Sequence, residues 1–125
     1  MKLNINQVLQ IEELCEKFSN HVINARVAYK FAKLSKSIVN DIDFYREQYT
    51  LYINEFGQKD DNGNFIKSGN NIKIIPGLEE KCKQKFNELN SLEIELPEIK
   101  FSLDELESID MTMKDMLVLD PFIEE

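Results

Sequence analysis

The chain of 125 residues has few of the side chains that enzyme and metal sites need. It contains one histidine, two cysteines and no tryptophan. A nucleophilic triad needs a base, and a lone histidine within a helical pattern, as at His21, is typical of a structural residue. Together with His21, the thiols of Cys15 and Cys82 match no zinc spacing, and two cysteines make no disulfide framework. The sequence therefore predicts a protein that is not an enzyme and holds no cofactor or metal.

Glycine and proline are also scarce, at four and three residues. The glycines do not cluster before a helix as a phosphate-binding loop requires. Residues 60–64 superficially resemble the start of a calcium loop. Counted from Asp60, however, the sixth position is Phe65 and the twelfth is Asn71, where such a loop needs glycine and glutamate. Phosphate and calcium loops are therefore not expected.

Long hydrophobic runs are missing as well. No apolar stretch approaches the roughly 20 residues that cross a bilayer, and residues 1–6 contain no apolar region of a secretion signal. The chain is nevertheless 42% hydrophobic and 30% charged, which is typical of a folded chain. We therefore expect one domain over residues 1–125, in the cytoplasm and without membrane contact.

Apolar residues recur at steps of three and four over two consecutive stretches, a pattern typical of helices and coiled coils. The first stretch consists of Val8, Ile11, Cys15, Phe18, Val22, Ala25, Tyr29 and Ala32. The second consists of Phe31, Leu34, Ile38, Ile42, Tyr45, Tyr49, Tyr52 and Phe56. Residues 4–56 are thus predicted to form one long helix, or a helical hairpin that breaks at residues 19–21 or 35–37. The hairpin is favoured because one straight helix cannot bury both stretches against the short remainder.

Turn residues change the pattern after Gly57, which is a candidate helix C-cap. The turns at residues 60–64 and 68–71 adjoin short β-prone runs, and they predict a small β-hairpin within residues 57–77.

The rest of the chain, residues 78–125, predicts shorter elements. A helix from Leu78 to Leu92 is followed by an extended segment around Ile94. Two short helices are predicted to begin at the capping boxes of Ser102 and Thr112. The fold class is therefore mainly α with a small β part (α+β).

The formal charge of −8 is unevenly distributed. Residues 93–125 hold eleven acidic and two basic residues, whereas residues 1–92 hold twelve acidic and thirteen basic ones. This acidity disfavours nonspecific nucleic-acid binding and suits a solvated face or a basic protein partner. The candidate partner-binding acids are Glu93, Glu95, Asp104, Glu105 and Glu107.

Residues 17–36 contain five basic residues and no acidic one. Arg26, Lys30 and Lys33 step by four and three, so they form one basic stripe on a helix. Such a stripe is able to contact nucleic-acid phosphates. Solvation, or pairing with the acidic C-terminal third, is the favoured alternative because the whole chain is acidic.

Four aromatic residues lie along one face of the second predicted stretch: Tyr45, Tyr49, Tyr52 and Phe56. Tyrosine is favoured in protein interfaces because it is large and amphipathic. Packing within the protein is the more common role of an apolar stripe, and a self-association seam or partner-binding groove is the alternative.

Short motifs along nearly the whole chain resemble a family of small uncharacterised proteins encoded by phages and prophages of low-GC Gram-positive bacteria. They lie at residues 28–30, Leu34, residues 49–56 and 60–64, Phe86, Leu89, Leu92, residues 94–96, Leu106, Glu107 and residues 119–125. The resemblance implies a phage setting and therefore the host bacterial cytoplasm, and it implies no catalytic or binding residue.

The sequence thus favours a non-catalytic, phage-encoded protein whose function is a protein–protein contact. One hypothesis is an assembly or tail-module accessory factor that self-associates through Tyr45–Phe56. A second is an acidic inhibitor that binds a basic surface of a host nuclease or anti-phage defence protein. A third is a nucleic-acid-associated regulator that uses Arg26, Lys30 and Lys33.

Overall fold

The computed structural model describes residues 1–124, so Glu125, the end of the last family-like motif, lies outside the described residues. The elements in chain order are β1 (Lys2–Asn4), α1 (Ile5–Phe18), α2 (Ala25–Phe56), β2 (Lys67–Ser68), β3 (Asn71–Ile72), α3 (Glu79–Asn90), β4 (Glu93–Glu95), α4 (Leu103–Leu106), α5 (Met113–Leu119) and a 3-10 turn at Asp120–Phe122. The predicted mainly α fold with a small β part is confirmed. Among the described residues, no helix has both the length and the apolar content to span a bilayer.

Contacts divide the chain into two compact units. The first unit comprises Met1–Ile42 and Glu93–Glu125, and the second comprises Asp43–Leu92. Helix α2 begins in the first unit and continues into the second. The acidic third of the sequence therefore folds with the N-terminal helices.

The N-terminal helical region consists of two helices, separated at residues 19–24. This confirms the predicted break at residues 19–21, whereas the alternative break at residues 35–37 is wrong. Ser37 is helical, and its hydroxyl donates to the Leu34 carbonyl of the preceding turn at 2.7 Å. The first helix ends at Phe18, within the first predicted stretch. Val22 of that stretch lies in the connecting segment and Tyr29 lies on α2, and both are exposed.

The first unit buries most of the apolar residues of both helices. Its fully buried side chains include Ile5, Val8, Ile11, Val27, Leu34, Ile38 and Ile42 from the N-terminal part, with Phe101, Leu119 and Phe122 from the C-terminal part. The rings of Phe31 and Phe101 lie 4.9 Å apart. The backbone N–H of Phe101 donates to the Phe122 carbonyl at 2.7 Å. Aromatic burial thus joins two segments that are distant in sequence.

Strands β1 and β4 pair antiparallel, with Leu3 opposite Ile94. Both of these side chains are buried, and their neighbours in each strand face solvent. The extended segment around Ile94 is confirmed, but β1 was not predicted. A run of three residues is too short for a periodic signal, and its partner strand lies some ninety residues away in sequence. Asn4, the last residue of β1, also caps α1 by accepting from the Gln7 N–H.

Both predicted capping boxes are present. The Ser102 hydroxyl accepts from the Glu105 N–H at the start of α4, and the Thr112 hydroxyl accepts from the Asp115 N–H at the start of α5. In return, the side-chain carboxylates of Glu105 and Asp115 accept from the backbone N–H groups of Ser102 and Thr112, respectively. These reciprocal bonds satisfy donors that a helix start otherwise leaves unpaired.

The second unit contains the predicted hairpin, shorter and with a tighter turn than expected: β2 and β3 pair antiparallel around Gly69. Helix α2 ends at Phe56, so Gly57 follows it at the predicted C-cap position, although its φ is not positive. A Cβ at Gly57 would lie 2.6 Å from the Ile53 carbonyl oxygen and 2.7 Å from the Phe65 ring. Any larger residue at this position would clash with these two groups, so the fold requires glycine here.

The two faces of α2 provide a direct test of this fold. Ile38 is 1% exposed and its neighbour Val39 is 46% exposed. We expect Ile38→Ala to lower the free energy of unfolding by about 2–5 kcal/mol because it leaves a cavity in the core. The matched variant Val39→Ala should change it by no more than about 0.5 kcal/mol, as at other surface positions. Urea unfolding followed by circular dichroism measures both, and equal losses would contradict the orientation of α2.

Candidate interaction surfaces

The aromatic stripe of α2 packs against α3 in the second unit. The rings of Tyr49 and Tyr52 contact Phe86 edge to face, at centroid distances of 5.2 and 5.6 Å. The Tyr45 hydroxyl donates to the Asn90 side-chain oxygen at 3.1 Å. Burial, and then the neighbouring Tyr49, raise the pKa of Tyr45 above its usual value.

These four residues differ in accessibility. Phe56 is buried, Tyr45 and Tyr52 are half-buried, and Tyr49 is 45% exposed. The side chains of Phe44 and Leu51 are each more than half exposed, although neither belongs to the predicted stripe. The aromatic stripe therefore contributes to internal packing, and accessible apolar area on this part of α2 lies at Phe44, Tyr49 and Leu51.

The basic stripe meets the acidic segment in the first unit. Lys30 donates to both carboxylate oxygens of Glu105, at 2.8 and 2.9 Å, and to the Lys100 carbonyl at 2.6 Å. The hydrogen bond from Lys30, followed by the one from the Ser102 N–H, lowers the pKa of Glu105 to about 2. Glu105 is therefore ionised at neutral pH and is engaged within the protein.

The other two residues of the stripe remain on the surface. Arg26 is exposed and lines an open polar hollow of about 410 Å³ with Asp104 and Glu105. Lys33 is also exposed, two turns after Arg26 on α2. Two of the three basic side chains are thus placed beside carboxylates, which is the arrangement expected from pairing with the acidic third.

A second ion pair joins α1 to α5. Lys17 donates to Asp115, the one buried charged residue among those described, and the Thr112 N–H donates to the same carboxylate. Burial alone would raise the pKa of Asp115, but these hydrogen bonds outweigh it and lower the pKa. Asp115 therefore holds α5 on α1 and does not contribute a free charge.

The remaining candidate acids face solvent. Glu93 and Glu95 flank the buried Ile94 on β4, so both point away from the core. Asp104 and Glu107 are exposed on α4 and at its end. Glu95 pairs with the N-terminal ammonium group at 3.0 Å. Four of the five candidate acids are thus accessible.

The charge is concentrated in one unit. The first unit has fifteen acidic and eight basic residues, a formal charge of −7, and the second has eight acidic and seven basic residues, a formal charge of −1. The Lys30–Glu105 and Lys17–Asp115 pairs neutralise themselves, and most of the other described acidic residues of the first unit are exposed.

An open hollow of about 260 Å³ lies beside the break between α1 and α2, lined in part by Cys15, His21 and Phe31. The Cys15 thiol donates to the Phe31 carbonyl at 3.8 Å. Burial, and then the charge of Glu12, raise the pKa of Cys15 to about 11. The thiol is therefore protonated at neutral pH and weakly nucleophilic. Within residues 1–124, no three potential metal ligands come together.

Exposed apolar residues on α5 were not among the sequence candidates. Met113 and Leu117 are 80% and 68% exposed. These two residues are one helical turn apart, which is also the spacing of buried core residues. Because α5 is short, periodicity in the sequence does not distinguish an exposed apolar face from a buried one.

Comparisons of this chain with protein-family models, with curated proteins and with solved structures find no match.

The ion pair of Lys30 and Glu105 predicts a pH-dependent stability. The folded pKa of Glu105 is about 2, and the unfolded value is about 4.3. Since the folded pKa is the lower one, the stabilisation is complete above the unfolded value and is lost as the pH falls from about 4.5 to about 2. The stability difference between the wild type and Glu105→Gln should therefore shrink over this range. Urea midpoints at pH 7, 4 and 2.5 measure this difference.

The control is Glu107→Gln, which removes an exposed carboxylate from the same segment. Its difference from the wild type should vary much less with pH. If Glu105→Gln and Glu107→Gln gave the same pH profile, the ion pair would not stabilise the fold.

Proposed function

We propose that this protein acts by binding another protein, and that exposed acidic side chains of its first unit contact a basic surface of that partner. The main support for this proposal is the distribution of charge in the fold. The first unit has a formal charge of −7, and Glu93, Glu95, Asp104 and Glu107 face solvent. An acidic surface steers association with a cationic partner and suppresses association with acidic ones.

An inhibitor of a basic host protein fits this surface. Proteins that bind phosphate backbones, such as nucleases, expose lysine and arginine. An acidic protein that covers such a surface competes with the nucleic acid for it. On the family resemblance, we propose a phage setting in which the target is a host nuclease or an anti-phage defence protein.

An assembly or tail-module factor is the second proposal. Its support is the accessible apolar area on α2, where Tyr49 is 45% exposed and Phe44 and Leu51 are more exposed still. The packing of Tyr52 on Phe86 weighs against self-association through the whole aromatic stripe, because that ring already has a partner. A nucleic-acid-associated regulator has less support, because Lys30 pairs with Glu105.

Charge reversal tests the acidic surface. We expect Glu93→Lys, Glu95→Lys, Asp104→Lys and Glu107→Lys together to weaken binding to the partner by at least about tenfold, since rim charges govern association rates and their salt dependence. The partner would first be isolated from extracts of the host and identified. Titration calorimetry and stopped-flow association with the purified partner, at 50 and 300 mM salt, then measure the effect.

The control reverses four exposed acids of the second unit, Asp61, Glu79, Glu80 and Glu88, and should leave binding within about threefold of the wild type because that unit is nearly neutral. Circular dichroism checks that both variants are folded. Unchanged affinity and an unchanged salt dependence in the first variant would exclude the acidic surface as the contact.

The oligomeric state separates the two proposals. We expect a monomer of 14.7 kDa by light scattering at both salt concentrations, because the acidic first unit repels its copies and the aromatic stripe packs internally. A defined, salt-insensitive oligomer that Tyr49→Ser and Leu51→Ser dissociate would contradict this expectation and support the assembly function.

A further inference from the structure

Helix α5 has two unlike faces. On the inner face, Asp115 accepts from Lys17, and Leu119 is fully buried. Directly after the helix, Phe122 is fully buried as well. The helix is therefore fastened to the first unit on one side by a charge-assisted hydrogen bond and by core side chains.

The outer face is apolar and accessible. Met113 is 80% exposed and Leu117 is 68% exposed. Residues four apart on a helix are neighbours, so these two side chains form one short ridge. Met111 and Met116 are half-buried beside it, and residues 111–116 hold three of the four methionines of the chain. Methionine is flexible and polarizable, and it is used on surfaces that adapt to apolar partners.

Acidic residues surround this ridge in the sequence. Residues 104–124 contain seven acidic residues and one lysine. Glu105 and Asp115 are engaged in ion pairs with lysines of the N-terminal helices. The other five are exposed: Asp104, Glu107, Asp110, Asp120 and Glu124. The exposed pair of large apolar side chains thus lies in a segment of the sequence in which exposed acids outnumber the one lysine.

The ridge is also held in a fixed orientation. Thr112 caps the first turn of α5, and the Asp115 carboxylate accepts at once from the Thr112 N–H and from Lys17. A preorganised contact loses less conformational freedom on binding than a mobile one. The orientation of the ridge is therefore set by the fold before any partner binds.

We propose that Met113 and Leu117 form the apolar anchor of a docking site for a basic amphipathic helix of a partner protein. The inference rests on the proposed function and names the kind of segment that the acidic first unit binds. Leucine-like side chains at i, i+3 and i+4 of the partner helix pack on the ridge, and its lysine or arginine side chains face the five exposed acids. A second copy of this chain does not fit, because it would bring the same negative charges together.

Two synthetic peptides test the anchor. The first is a 15-residue helical peptide of leucine and lysine with leucine along one face. The second has the same lysines and serine in place of leucine, so the two have the same charge and differ in apolar area. We expect the wild type to bind the leucine peptide at least about tenfold more tightly, since about 1.4 kcal/mol of apolar contact gives that ratio. Calorimetry measures both affinities.

Substitutions on α5 should remove this preference. We expect Met113→Gln with Leu117→Gln to bind both peptides equally, at the affinity of the wild type for the serine peptide. The matched control is Leu51→Gln, an exposed leucine of the second unit, which should keep the tenfold preference. Both changes are at exposed positions, and unchanged urea midpoints would show that the variants are folded. The single variant Met113→Gln should give an intermediate preference.

The outcomes distinguish the inference from the proposed function. If the double variant keeps the preference for the leucine peptide, Met113 and Leu117 are not the anchor. If both peptides still bind in a charge-dependent way in that case, the proposed acidic surface is retained. If the wild type binds neither peptide at 50 mM salt, the acidic surface itself fails. If the leucine peptide binds equally well to the charge-reversed variant, the acidic residues do not contribute to binding. That result would contradict both the proposed acidic surface and the proposed basic partner helix.

Discussion

The first unit depends on the burial of Phe101. This side chain is fully buried, its ring lies 4.9 Å from that of Phe31, and its backbone pairs with the segment that follows α5 through bonds to Phe122 and Glu124. The acidic third of the chain carries many charges, and charges favour contact with water. Charge alone therefore does not drive this segment to pack on the helices. Aromatic burial is what brings this segment onto the N-terminal helices. Lys30, whose ammonium group lies 5.6 Å from the Phe101 ring, then reaches Glu105.

The charge distribution follows from this packing. Carboxylates that lie next to the helices are paired with lysines, as in Glu105 with Lys30 and Asp115 with Lys17, because a carboxylate that loses water needs a partner. Carboxylates that point away from the helices stay in contact with water, and among them Glu95 pairs with the N-terminal ammonium group. The same fold that satisfies the inner acids therefore leaves an outer surface that is negative, with an apolar ridge on α5 within it. A surface of this kind is suited to recognition of a cationic protein.

The second unit has a different character. It is nearly neutral, its helices α2 and α3 meet through Tyr49, Tyr52 and Phe86, and its hairpin is held by short backbone bridges. Edge-to-face contacts between aromatic rings are specific in geometry, and they use the same side chains that would otherwise be prominent in an interface. The tyrosines therefore have a role in packing, and the accessible apolar area on this part of α2 lies at Phe44, Leu51 and the partly exposed Tyr49.

The sequence by itself determined most of the helices, the two capping boxes, the hairpin turn and the acidic C-terminal third, whereas for the helix break it left residues 19–21 and 35–37 as alternatives. These are local features, set by residues within one or two turns of each other. Only the tertiary structure decided the pairing of β1 with β4, the exposure of Val22 and Tyr29, the division of the acids into paired and free ones, and the exposure of Met113 and Leu117. Each of these depends on which distant segment covers a given face. Periodicity reports that a face is apolar, but only packing determines whether that face is buried.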